Sequence, residues 1–381
     1  MILFTTIILD AYIALLSFQV NGIAASDTIR IPLLAFMIAE ALMVLIFYIG
    51  PKNERKSMQL PGVIALAIAF FIYIICYYGL VRLTISRLVE LVFFPICLIV
   101  TYINFLGIKE EKTFDQIIEL QFYYLLVVAA TFFVAQVLKR GEYLKNVNTV
   151  YYVVFTLPFI LLNKSNTKKW LGLIIILGCL FLSLKRTPLI AVGLTLIFYN
   201  ETRQTIKKTA SRTLLVIIAV VLIDMVFSTF FDIHMLDRMM TITEDGGSGR
   251  IELAKQTIDL LKKSSIGQLI FGHRLRPTAT VFRGGSHNDF LEVIYRAGFF
   301  GFSMFIGYFI SILSHITAFD RAENYKLANF MKATLILFAV TSFSSQLIFL
   351  PTYVGLIAMS ISFAITYNDF TQNKLSNQEG V

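Results

Sequence analysis

The sequence predicts an all-α polytopic membrane protein of about 12 transmembrane helices, from its composition, the length of its apolar runs and the distribution of its basic residues. Of 381 residues, 57% are hydrophobic, 14% aromatic and only 15% charged, against roughly 25% charged in a soluble domain. Mean hydropathy is +0.75. Lipid offers the backbone no hydrogen-bond partner, so spans of about 17 to 25 apolar residues must close their own bonds as helices.

Such runs lie near residues 1–20, 31–49, 61–80, 88–106, 120–138, 149–162, 170–184, 187–199, 213–231, 297–314, 331–347 and 353–368. The seventh and eighth are short and abut at Lys185-Arg186, which leaves one kinked or re-entrant element as an alternative to two spans. The first run lacks a basic leader and carries Asp10, so it reads as a retained span and not a cleaved signal peptide. With the N-terminus inside, the short inner loops hold Lys52, Arg55, Lys56, Lys109, Lys112, Lys164, Lys168, Lys169, Lys207 and Lys208 among others. They outnumber the outer Arg30, Arg82, Arg87, Lys139, Arg140, Lys145, Lys185 and Arg186, as the positive-inside rule requires. The chain then divides into a bundle at 1–231, a large outer loop at 232–296, further spans at 297–368 and a polar, disordered cytoplasmic tail at 369–381.

The net charge of +9 is shared between inner anchors and the outer loop, so it is no nucleic-acid signature. The loop holds Arg238, Arg250, Arg274, Arg276, Arg283 and Arg296. A guanidinium fork grips phosphate in bidentate fashion, so an anionic ligand and contact with lipid headgroups are both open readings. Cys76, Cys97 and Cys179 fall inside spans and indicate neither disulfides nor a zinc site. No internal repeat is evident.

Within the loop, RIELAKQTIDLLKK at 250–263 places Ile251, Ala254, Ile258 and Leu261 on one helical face. That amphipathic helix is expected to lie on the membrane surface or cap the bundle. Arg250 opposes the dipole at its start, so either a bound anion or an acidic neighbour such as Glu244 or Asp245 is needed to hold it there. Further on, Ser286 and Asp289 match a capping box, which predicts a helix from about His287 into the tenth span. A His in a first turn is kept neutral by the dipole, and the same helix end attracts anions. Gly298 and Gly301 are assigned to close helix packing. Arg186 is costly at its depth unless it lines a polar cavity or pairs with a carboxylate, for which Glu90, Asp224, Glu40 and Asp10 are the candidates within spans.

An outward Arg between two spans, an Arg opening the large loop, and His287-Asn288 followed after nine residues by Gly298-Phe299-Phe300-Gly301 resemble the O-antigen ligase and O-antigen polymerase superfamily. The resemblance covers the whole layout, and its specific part is residues 183–194 and 246–302. It implies a GT-C-like fold in the bacterial inner membrane, with the outer loop and active site facing the periplasm. It also implies transfer of an undecaprenyl-diphosphate-linked oligosaccharide to a glycan acceptor, with inversion and without metal or other cofactor. That acceptor is a lipid-linked repeat unit or lipid A core. On this reading His287 deprotonates or orients the acceptor hydroxyl, and Arg186 and Arg250 stabilise the departing charge. Asn288 and Arg274 bind substrate, membrane lipids surround the bundle, and a chain-length regulator protein is a candidate partner.

Two departures stand out. The family usually has Ser before the intramembrane Arg, where this chain has Lys185, with Ser183 further back; and it often has Gly-x-Gly before the His motif, where Gly272 is followed here by His273 and Arg274. A polymerase is favoured because the outer loop is compact; ligase and protein glycosyltransferase are the alternatives within the family. A lipid-linked glycan transporter or flippase is the alternative of another class, but it predicts internal symmetry and charge along the bundle midplane. A purely structural membrane partner leaves His287-Asn288 unexplained.

Overall fold

The computed structural model describes residues 60–81, 85–138, 149–199, 206–231, 234–240, 249–282, 285–345, 348–349 and 351–379, with a few isolated positions before residue 60. The spans predicted at 1–20 and 31–49, and Glu244 and Asp245, lie outside them.

The described residues form helices and no strand. In chain order these are α1 (Gly62–Val81), α2 (Ile85–Leu106), α3 (Glu111–Leu138), α4 (Val150–Val154), α5 (Leu157–Leu162), α6 (Asn166–Ser183), α7 (Arg186–Phe198) and α8 (Ile206–Phe231). The long loop between α8 and the last three helices contributes α9 (Met235–Met240), α10 (Arg250–Lys262), α11 (Ile266–Phe271) and a 3₁₀ turn at Thr278–Thr280. Three long helices close the chain, α12 (Asp289–Arg321), α13 (Tyr325–Ser344) and α14 (Pro351–Glu379).

Every run predicted from residue 61 onward falls on helix, and among the described residues 5 helices are long and apolar enough to cross a membrane. The predicted seventh and eighth runs are two helices. Leu184 sits in the left-handed region at the end of α6, and Lys185 is extended before α7, so the chain turns there. Ser183 braces that turn, its hydroxyl donating to the Leu180 carbonyl and accepting the Lys185 N–H at 3.2 Å. The run at 149–162 is broken into α4 and α5, with Pro158 at the start of α5, where its missing N–H costs nothing. The tail is not disordered as expected: α14 continues to Glu379, and Lys374 pairs with Glu111 at 2.9 Å.

Lipid-facing and protein-facing sides differ by exposure, not by polarity. Along α8, Leu214, Leu215, Ile217, Ile218, Leu222, Met225 and Val226 are exposed, which suits a hydrocarbon solvent. α14 is instead buried from Val354 through Ile365 and packs along α2 and α13. Phe363 is the hub of its core, with the rings of Phe105, Phe114, Phe159 and Phe330 around it. Between α2 and α14, Thr101 donates to Ser362 at 2.9 Å and Ser362 donates to the Leu98 carbonyl at 3.0 Å, a polar tie of the kind that joins helices in lipid.

α12 breaks at Gly298, whose φ of 67° and ψ of −174° lie in a region open only to glycine. The break exposes the carbonyls of the preceding turn, and the loop before α12 takes them up. His273 N–H donates to the Tyr295 carbonyl at 2.7 Å and Leu275 N–H to the Arg296 carbonyl at 3.1 Å. The Tyr73 hydroxyl lies 2.8 Å from the Ala297 carbonyl and 3.0 Å from that of Phe271, and Tyr77 donates to the Gly272 carbonyl. A Cβ at Gly298 would meet the Ile270 carbonyl at 2.2 Å, and one at Gly272 the Arg296 carbonyl at 2.2 Å. Gly298 is therefore a bend and a backbone crossing, where simple helix packing was expected. Gly301 does face a helix: its hydrogen points at Tyr73 and Phe70 of α1.

α10 does not turn its apolar stripe toward the bundle, one of the two placements expected for it. Ile251 and Ile258 are exposed while Thr257 is buried, because the Thr257 hydroxyl bonds back to the Leu253 carbonyl and can go inside without loss. The apolar stripe is thus not buried against the bundle.

Candidate functional site

The site forms where two helix N-termini meet. α7 begins with Arg186 and Thr187, and α10 begins with Arg250, whose Nη1 donates to Thr187 Oγ1 at 2.9 Å. Neither end has a side-chain cap: Lys185 stands before α7 and a left-handed Gly249 before α10. The Arg250–Thr187 bond thus brings two uncapped helix starts together, and the N–H groups and dipoles of such ends favour anions. The hydroxyl of Thr187 holds Arg250, and Glu244 and Asp245, its expected acidic partners, lie outside the described residues. Arg186 is half-buried.

Around this junction stand residues that the sequence did not single out. Tyr151 of α4 is buried, its hydroxyl 3.1 Å from that of Ser345 and close to Thr187 and Arg250. The Lys185 ammonium lies 5.7 Å from the Tyr151 ring centroid. No local pattern marks Tyr151 or Ser345; they arrive through packing of α4, α7 and α13.

His287 joins the cluster from the loop before α12. It is half-buried and holds a left-handed φ of 46°, unusual for a side chain with a Cβ. Burial first, and then the positive charges of Arg250 and Lys185, push its pKa below the usual 6.5, with Glu292 opposing. The imidazole is therefore neutral at pH 7, as expected, but for another reason. The helix starts at Asp289 and not near His287, and Asn288 is its cap, accepting the Leu291 N–H at 3.0 Å. The dipole argument fails with that shift. So does the anion site at this helix end, since Asn288 caps it and the buried Asp289 and Glu292 fill its first turn with carboxylates. The other end of the Asn288 amide donates to the Phe343 carbonyl at 2.9 Å.

Behind His287 the turn is held by a buried carboxylate. Glu292 accepts from Thr278 N at 3.1 Å, Thr278 Oγ1 at 2.5 Å, Ser286 Oγ at 2.9 Å and Arg296 Nε at 2.6 Å. Arg296, read from the sequence as part of an outward anion-binding set, is instead buried in this pair and stacked 4.4 Å over Phe349. Asp289 accepts the Ile348 N–H at 3.0 Å, so the start of α12 grips the segment between α13 and α14 from both sides.

The remaining sequence candidates lie elsewhere. Arg274 lines a cleft that contains none of Arg186, Arg250 or His287. Asp224 is no partner for Arg186, because it caps α9, accepting from Met235 N at 2.8 Å. Arg283, the side chain of Arg238, the side chain of Glu90, and Asp10 fall outside the described residues. Among the described residues no three His, Cys, Asp or Glu side chains gather to hold a metal.

A helical membrane bundle with Arg250 and Lys185 near His287 is what fold and site define. Residues 171–306 match the family model of the O-antigen ligase. That segment runs from α6 to the middle of α12, is similar to the O-antigen ligase family, and contains Arg186, Arg250, Arg274, His287, Asn288, Gly298 and Gly301. No curated protein matches the chain.

Proposed function

We propose that this protein is a glycosyltransferase of the bacterial inner membrane that polymerises undecaprenyl-diphosphate-linked repeat units on the periplasmic face. The observation that carries this reading is the meeting of the uncapped, arginine-led starts of α7 and α10 beside a neutral His287. One half of the pair suits a diphosphate leaving group and the other suits an acceptor hydroxyl.

In the reaction, the acceptor oxygen attacks the anomeric carbon from the face opposite the diphosphate, and its proton passes to the free ring nitrogen of His287. The bond between the anomeric carbon and the diphosphate oxygen breaks, and the electron pair leaves with undecaprenyl diphosphate. Arg186 and Arg250 neutralise the charge that develops there, the role a metal plays in other enzymes. Lys185 adds a third cation, so the Lys that stands where the family usually has Ser contributes charge of the same sign. Asn288 fixes the turn that presents His287, its amide held between the Leu291 N–H and the Phe343 carbonyl.

The description of the matched family favours a second reading, ligation of the finished chain onto lipid A core. Gene deletion followed by gel analysis of surface glycans and lipid-linked intermediates separates the readings. Single-repeat products indicate a lost polymerase, and long chains stranded on the carrier lipid indicate a lost ligase. Short units trapped inside the cell would indicate a transporter and contradict both.

A further inference from the structure

A second cationic cleft lies apart from the His287 cluster, with a volume of about 870 Å³ and walls that include Arg274, Arg276, Tyr77, Tyr295 and Gln268. Among the described residues no acidic side chain lines it and neither arginine makes an ion pair. The backbone that carries them is strained: Arg274 and Leu275 are both left-handed, with φ of 54° and 58°. Two successive residues in that region persist only when neighbours over-determine them. Here the neighbours are the fully buried Leu275 side chain and the two hydrogen bonds to carbonyls freed by the Gly298 break. The fold thus spends a helix break and a strained turn on presenting Arg274 and Arg276 at one cleft.

The position of the cleft limits its ligand. Its floor includes Tyr77 and Leu80 at the end of α1, a helix of membrane-spanning length, and Leu80 is 80% exposed. Phe271 and Val281, also exposed, continue the apolar rim. A ligand that matches must be anionic and polar at one end and apolar at the other. The space exceeds a lone phosphate and admits a diphosphate with an attached sugar.

We infer that the Arg274–Arg276 cleft binds the phosphate end of a membrane-anchored lipid, at a site distinct from the His287 cluster. A lipid-linked diphosphate and an anionic phospholipid headgroup share that chemistry. Assigning the first as a second substrate rests on the function proposed above; the existence of the anion site does not.

The test measures farnesyl diphosphate binding to the full-length protein in phosphatidylcholine nanodiscs, by calorimetry. Arg274→Gln/Arg276→Gln is expected to remove one bound equivalent. Loss of one of two equivalents supports both sites, whereas loss of a sole equivalent supports the cleft and counts against the diphosphate site at α7 and α10. Unchanged binding overturns the inference, as does an equal loss in Lys255→Gln/Lys263→Gln, which removes two exposed charges outside the cleft. Repeating the titration in phosphatidylglycerol nanodiscs separates the sources: that equivalent disappears if headgroups occupy the cleft and survives if it selects a diphosphate. Should the Gln pair fail to fold, Arg274→Lys/Arg276→Lys keeps the charge but loses bidentate geometry. Weaker binding then supports the site, and wild-type affinity overturns it.

Discussion

His287 is held neutral by burial and by Arg250 and Lys185, which fixes the sign of its pH dependence. Its pKa lies below 6.5, so transfer should be level through neutral pH and fall only when acid protonates the ring. Lys185→Gln removes a positive neighbour, lets the ring keep its proton more readily and should move the acid limb to higher pH. An acid limb that stays put in that variant would contradict the electrostatic account. Arg250→Ala should lower the transfer rate by about 10²–10³-fold, the usual cost of removing one donor from a developing oxyanion, with little change in folding. His287, Arg186 and Arg250 were legible in the sequence because motif spacing and unusual charge mark them. Tyr151, Thr187 and Ser345 were not, since they meet only through tertiary packing and carry no local signature.

At the scale of the element, the bend in α12 decides the geometry. A Gly-x-x-Gly pair in an apolar run reads as helix packing, and nothing in the periodicity distinguishes it from a break. Only the positive φ and the backbone crossing at 2.2 Å do so. Gly298→Ala should destabilise by at least roughly 1–3 kcal/mol from backbone strain alone, seen as a lowered unfolding temperature of the detergent-solubilised protein; Gly301→Ala should also lower it, since the added Cβ would meet the Ala297 Cβ at 2.4 Å and the Tyr73 ring at 3.4 Å. Glu292→Ala leaves Arg296 buried without its carboxylate and should cost about 3–5 kcal/mol. Glu292→Gln, which can still accept from Thr278, should fold better while weakening the hold on the turn that carries His287. Equal melting temperatures for the two variants would show that the hydrogen bonds from Thr278, which only the Gln side chain can keep, add nothing beyond the pair with Arg296 that both variants lose. Element positions were legible from apolar runs, but ends were not. The start of α12 differed because Asn288, and not Ser286, supplies the cap, and the tail stayed helical because Lys374 anchors it to Glu111.

Across the whole molecule, apolar surface on α8 and buried packing along α14 describe a bundle placed in lipid, with the outer-loop helices gathered over the starts of α7 and α12. That arrangement brings residues far apart in sequence, from Tyr151 to Ser345, to one cationic junction. The family match over residues 171–306 includes Arg186, Arg250 and His287, the residues proposed to carry the chemistry, and leaves most of the surrounding bundle, with Tyr151 and Ser345, to be read from its physics. The most direct measurement is glycan transfer by purified, reconstituted His287→Ala, with lipid-linked oligosaccharide as donor and a lipid-linked repeat unit or lipid A core as acceptor. The account predicts transfer reduced to background by a variant that inserts and melts like the unaltered protein. Near-normal transfer by such a variant would contradict it.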